Sequence, residues 1–226
     1  MESLLVEEAN RGGLKVREGM AKFSQFIKTG EGELIIHGPV GPELLSSLKI
    51  DSGLKSFRPP HKQHAALIEI SRLEFGRVII AQFDQTLVGY VTFHPPDDFE
   101  HWVKGPKELL ELGAIEVSPR FRRHGTGRRL LEVAFSDPVM ERLIIFATEY
   151  YWHWDLEGTS LNIWEYREMM RNLMEHVGMT IKDTDEVEIS SHPANMLMVR
   201  YGNNVPKTLM LEFEKLLIEK PDSNRR

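Results

Sequence analysis

The chain has 226 residues, 41% of them hydrophobic and 27% charged, with a formal net charge of −6 and no cysteine. That length and balance fit one globular domain with a real core, and the acidic total argues against a dedicated nucleic-acid binder. Without cysteine there are no disulfides, no thiolate metal sites and no cysteine nucleophile, so any acyl transfer must be direct or use another nucleophile.

Met1 to Met20 carries Glu2, Glu7 and Glu8 and no long apolar run, unlike a secretory leader. No stretch approaches the roughly 18 apolar residues of a membrane span. A cytoplasmic address is the expectation, with residues 1–29 set apart as an N-terminal extension. Glu33 to His37 reads as a strand ended by Gly38-Pro39. Pro42 to Lys49 and Pro60 to Leu73 read as helices, the second with proline in its first turn. Arg77 to Phe83 and Thr86 to His94 are rich in β-branched and aromatic residues and form a hairpin about Asp84-Gln85. Pro95 to Pro106 is a polar loop, and Glu108 to Val117 a short turn running into a strand. Arg128 to Phe135 reads as a helix and Leu143 to Thr148 as a strand. Trp164 to Val177 is a helix closed by Gly178. Asn195 to Tyr201 is the last strand. Lys207 to Ile218 is an amphipathic helix in a C-terminal segment, 203–226, leaving 30–202 as the main domain. The strand–helix–strand run from Gly113 to Thr148 predicts a parallel pair within a mostly antiparallel sheet, an α/β architecture.

The chemistry concentrates at Arg122-Arg123-His124-Gly125-Thr126-Gly127, directly before a helix. Two closely spaced glycines let backbone N–H groups approach a ligand, and a helix N-terminus adds about half a positive charge. Arg120, Arg128 and Arg129 lie beside the loop. Such a site suits a phosphorylated ligand. It lacks the Gly-Lys-Ser/Thr of a Walker loop and the third glycine of a dinucleotide fingerprint. The plain alternatives are a solvated basic helix start or, less well supported because only Phe121 interleaves the arginines, a nucleic-acid patch.

Strand, Val-Ser-Pro, Arg-x-x-Gly-x-Gly, helix, strand resembles the acetyl-CoA pyrophosphate loop of the GNAT (Gcn5-related N-acetyltransferase) superfamily. Phe57-Arg58-Pro59-Pro60 with Gln63-His64, Glu111 to Val117, Thr148 to Leu156 and Glu188 to Met198 extend the likeness. They resemble the acetoin-utilisation acetyltransferases of Bacillus-type bacteria. The resemblance implies a GNAT fold with a central splayed parallel strand pair and helices on both faces of the sheet. It also implies acetyl-CoA as cosubstrate and, as partner, AMP-forming acetyl-CoA synthetase, inactivated by lysine acetylation. Arg122 to Gly127 would hold the pyrophosphate, and the backbones of Ile115 and Val117 the acetyl and pantetheine portions.

A lysine acceptor needs a base, because deprotonating its ammonium at pH 7 costs about 4.6 kcal/mol. Counting back from Gly125, Glu111 falls at the family's base position, on the strand face of Gly113, Ile115 and Val117, with Glu116 opposite. The alternative for Glu111 is an exposed charge at the strand's end. Met174 stands where many members carry a tyrosine acid, so Tyr150 or Tyr151 is the candidate instead. The cluster from Tyr150 to Trp154 is otherwise packing or partner surface. His61 and His64 read as a surface pair, His192-Pro193 as a turn, and no metal is expected. Acetylation of a small amine, or acetyl-CoA sensing by a protein that inhibits its partner through docking alone, are the competing functions.

Overall fold

The computed structural model describes residues 23–218. The readings of Met1 to Met20 and of the segment Pro221 to Arg226 lie outside the described residues. Among the described residues nine strands make one sheet: β1 (Phe23–Thr29), β2 (Gly32–Gly38), β3 (Lys49–Ile50), β4 (Arg77–Phe83), β5 (Thr86–His94), β6 (Leu109–Val117), β7 (Ile144–Glu149), β8 (Thr180–Lys182) and β9 (Met196–Tyr201). Helices are α1 (Pro42–Ser47), α2 (Pro60–Arg72), α3 (Thr126–Phe135), α4 (Leu156–Thr159), α5 (Ile163–Glu175), α6 (Val187–Ser190) and α7 (Lys207–Leu217). The sheet order is β1-β2-β4-β5-β6-β7-β9-β8, with the two-residue β3 alongside β5. Neighbours are antiparallel except β6–β7 and the short β3–β5. The α/β reading with a central parallel pair and helices on both faces holds. β1 falls within the segment set apart as an extension, yet it pairs with β2 from Phe23 to Thr29.

Strand alternation sorts the apolar side chains to two sides. On one, Leu110, Leu112, Ile145 and Ala147 pack against Leu130, Leu131 and Ala134 of α3 and Met170 and Met174 of α5. On the other, Val78, Ile80 and Tyr90 meet Leu45 and Leu67 of α1 and α2. Farther along that side, Ile144, Phe146 and Val199 meet Phe213 and Leu217 of α7. The polar stretch Pro95 to Pro106 contains a 3₁₀ turn, His101–Lys104, whose Trp102 is buried against Phe146 and Phe213. A single tryptophan in a polar loop can carry a core cluster, because one indole buries as much area as several small side chains.

The expected face of Glu111 is overturned. Phe93 of β5 pairs with Leu112 while Thr92 pairs with Ala114, so Gly113 is an extra residue, a β-bulge. One inserted residue reverses the alternation. Leu110 and Leu112 therefore share a face with Ile115 and Val117, and Glu111 shares the opposite face with Ala114 and Glu116. A Cβ on Gly113 would stand 2.2 Å from Nε2 of His94, so any larger residue would have to displace that ring.

Candidate active site

The parallel pair is short. β6 and β7 are paired only from Leu109–Ile144 to Glu111–Phe146, and beyond that β6 stays with β5 while β7 stays with β9. The gap opens a cleft of about 1170 Å³. The Ser118 N–H donates to the Val88 carbonyl at 2.8 Å. By two-residue alternation the N–H groups of Glu116 and Ala114 also turn to β5, and those of Ile115 and Val117 turn into the gap. Free strand backbone in a cleft is a template for an amide-bearing ligand.

Arg122, Arg123, Gly125, Thr126, Gly127 and Arg128 line the cleft on the α3 side; His124 is exposed and does not line it. Gly125 has φ +76° and Arg123 φ +66°, both left-handed, which turns the chain sharply into α3. The Thr126 hydroxyl donates to the Phe121 carbonyl at 2.8 Å and closes the turn. The first N–H groups of α3 have no partner within the helix, so with its dipole they make an anion seat.

The arginines divide by role. Arg122 donates through Nε to the Val117 carbonyl at 2.8 Å and through Nη1 to Asp155 at 2.7 Å, tying the loop to the end of β6 and to the start of α4. Arg128 and Arg129 both pair with Glu132, and Arg120 with Glu31. Arg123 has no ion pair among the described residues. A Cβ on Gly125 would meet nothing within 4 Å. This open, cationic, N–H-rich seat fits the diphosphate of a nucleotide-bearing ligand.

Across the sheet stands Glu111, 8% exposed. Burial, with the carboxylates of Glu100 and Asp97 adding to it, pushes its carboxyl up to about 8. The Thr148 hydroxyl on β7 donates to Glu111 Oε1 at 3.2 Å and opposes that rise. The Tyr150 hydroxyl lies close enough to Thr148 to be influenced by it, so carboxyl, hydroxyl and phenol are neighbours. Burial raises the Tyr150 hydroxyl too, with Glu186 reinforcing it. Glu111 is thus no exposed strand-end charge.

Tyr150, His153 and Trp154 line the cleft, whereas Tyr151 turns away to pack 4.4 Å from His192. Met174 is fully buried in the core and offers no hydroxyl. Tyr166 does line the cleft, stacked 5.1 Å from Trp154. Sequence reasoning missed Glu149, whose Oε2 accepts from Trp154 Nε1 at 2.8 Å and whose carboxyl burial lifts to about 7. Glu116, placed by the sequence only as the charge opposite Glu111, is buried: it accepts from Ser56 N–H at 2.8 Å and Tyr90 hydroxyl at 2.7 Å and so pins the loop carrying Phe57 and Arg58 to the cleft. Alternation of charge along a strand gives no sign of these partners. His64 bonds the Leu45 carbonyl at 2.8 Å. Among the described residues no three side chains form a metal cluster, and no helix is long and apolar enough to cross a membrane.

A splayed parallel strand pair, with an anion seat on one side and a buried carboxyl on the other, defines an acyl-CoA-dependent acyltransferase. The chain belongs to the Acetyltransferase (GNAT) family, whose pattern matches residues 47–162, and is an acyltransferase drawing on acetyl-CoA. It is 51% identical over 191 residues to the acetoin utilization protein AcuA of Bacillus licheniformis, covering 84% of this chain and 91% of that one. It is 49% identical to AcuA of Bacillus subtilis over 194 residues, covering 85% and 92%. The crystal structure of an acetoin utilization protein from Exiguobacterium sibiricum superposes with a TM-score of 0.85 at 47% identity, covering 86% of this chain and 93% of that one.

Proposed function

We propose that this protein is a lysine Nε-acetyltransferase that modifies and inactivates AMP-forming acetyl-CoA synthetase by direct transfer in a ternary complex. One observation carries the reading. The buried Glu111 lies on the sheet face opposite Ile115 and Val117, so donor and acceptor can meet from two sides of the gap. In this reading Arg123, the backbone of Gly125 to Gly127 and the α3 N-terminus hold the pyrophosphate, and Arg122 and Thr126 keep the loop in shape. The N–H groups of Ile115 and Val117 orient the thioester arm.

Glu111 is the base. Its carboxyl is mostly protonated at pH 7 in the empty cleft, and an arriving ammonium, an opposite charge at close range, draws it back to the carboxylate. The carboxylate then takes one ammonium proton. The freed nitrogen bonds to the thioester carbonyl carbon, the C–S bond breaks, and the thiolate leaves. Tyr150 is the hydroxyl we assign to protonate it, and the second proton that the nitrogen sheds on becoming the amide restores the phenol, while Glu111 returns its proton to solvent.

Incubating the protein with labelled acetyl-CoA and purified synthetase is expected to acetylate a lysine of the synthetase, found by mass spectrometry, with parallel loss of its activity. Ready acetylation of polyamines or amino acids with the synthetase untouched would favour a small-amine acceptor. Inhibition of the synthetase without acetyl-CoA would make docking, not transfer, the function.

Thr148 gives a second test. Its hydroxyl holds Glu111 below the value burial alone would set. In the wild type, kcat/KM should rise about tenfold per pH unit until near pH 8. Thr148→Val should move that limb to higher pH, and Thr148→Ser should restore it. An unmoved limb would separate Thr148 from the base.

A further inference from the structure

Six rings lie in continuous contact from the cleft outward. His153 meets Tyr150 at 5.8 Å, Tyr150 stacks on Trp152 at 4.8 Å, and Trp152 meets Tyr151 at 5.3 Å. Tyr151 then packs on His192 at 4.4 Å, and His192 lies 6.4 Å from Trp164 in a near-parallel stack. The rings come from three separate segments, the turn after β7, the turn before β9 and the start of α5. Tyr150 and His153 line the cleft, and His192 borders a separate hollow of about 220 Å³ with Arg167 and Lys182.

The belt is held in place, and it is partly exposed. Asn195 accepts from the Tyr151 N–H at 3.0 Å and donates to the Glu188 carbonyl at 2.9 Å, fixing the two turns to each other. The Ala194 N–H donates to His192 Nδ1 at 3.1 Å, which leaves the neutral ring's proton on Nε2. Yet Trp152 is 48% and Trp164 52% exposed. Two half-exposed tryptophans on one belt are what a soluble surface avoids and a protein interface uses.

We propose that this belt is an exosite for the body of a folded, lysine-bearing acceptor protein, engaged away from the lysine itself. The inference rests on the protein-acceptor reading above. Its occupant follows from continuity and charge. One end of the belt is the cleft wall where the acceptor lysine must arrive, and there Glu186 and Glu188 supply negative charge beside Tyr150 and His153. A lone lysine or a small amine reaches Tyr150 and has no use for Trp164, which does not line the cleft. A folded acceptor covers both.

The test compares two acceptors, intact acetyl-CoA synthetase and a short peptide carrying its acceptor lysine unmodified. Trp164→Ala should lower kcat/KM on the intact protein by roughly 10- to 100-fold, mainly through KM, the usual reach of an aromatic hot spot. It should leave kcat/KM on the peptide and the Kd for acetyl-CoA unchanged. Trp164→Phe should recover most of the loss, and His192→Ala should reproduce part of it. Wild-type kcat/KM on the intact protein in Trp164→Ala would overturn the exosite and leave the acceptor reading standing. An equal loss on the peptide would overturn it too, by placing the effect in the cleft. A wild-type protein that never acetylates the synthetase defeats the acceptor reading, and the exosite with it.

Discussion

Glu111→Gln is expected to bind acetyl-CoA as the natural protein does, while its turnover at pH 7 falls by roughly 10²- to 10⁴-fold, the usual worth of a general base. Glutamine keeps the shape and can still accept from Thr148, so the loss reports the proton-accepting charge and not a rearranged cleft. The deficit should shrink as the pH nears the acceptor lysine's own value, where free amine exists without help. Steady-state rates from pH 6 to 10, with calorimetry for acetyl-CoA, decide it. Undiminished turnover at pH 7 would move the role to Glu149, another cleft carboxylate that burial raises.

The same substitution should stabilise the fold at alkaline pH. The folded protein keeps Glu111 protonated up to about 8, whereas the unfolded chain loses that proton near 4.5. Between those values the unfolded state binds fewer protons, so wild-type stability falls as pH rises through the window and levels above it. Glutamine has no proton to lose. The gain from Glu111→Gln should be small at pH 4 and reach on the order of 4 kcal/mol at pH 9, read as the difference in unfolding free energy. Glu149, pushed up to about 7, leaves the variant a residual slope of the same sign. A buried carboxyl that destabilises its own fold at working pH is the usual mark of a functional group.

Local signals carried most of the architecture. The hairpin of β4 and β5 is bounded at the residues its β-branched runs predict, and Asn162 and Glu165 form a capping box at the start of α5. Gly178 has φ +82° just past that helix, as a closing glycine requires. The face of Glu111 was lost because strict alternation was assumed through Gly113. A lone glycine inside a strand is itself the sequence sign of a bulge, so that reversal was legible in principle. Glu149 and Thr148 were not. Their place in the site depends on how far β6 and β7 splay and on where Trp154 folds back, and both are long-range facts. Trp154 also changes character: stacked on Tyr166 and bonded to Glu149, it is cleft wall, while Trp152 faces solvent.

Gly125→Leu should weaken acetyl-CoA binding by roughly 10²- to 10³-fold with near-native secondary structure, whereas Gly127→Ala should cost much less. Gly125 sits at φ +76°, where an L side chain is strained by about 1–2 kcal/mol, and its Cβ would project into open space on the cleft wall. In the proposed binding mode that space is where a phosphate approaches the first N–H groups of α3. A branched side chain there would hold a phosphate off them, and losing two charge-assisted hydrogen bonds at the low end of about 1.5–3 kcal/mol each, roughly 3–4 kcal/mol together, accounts for the expected range. Gly127 differs on both counts. Its φ is not in the left-handed region, and an added methyl would meet Leu173 and Ile115 at 3.8 and 3.9 Å, ordinary contact distances. Gly125→Asn separates strain from obstruction, because asparagine tolerates the left-handed backbone but still fills the space. If obstruction governs, Gly125→Asn binds acetyl-CoA nearly as poorly as Gly125→Leu while melting close to wild type. If calorimetry finds wild-type affinity in Gly125→Leu, the diphosphate does not sit on this loop.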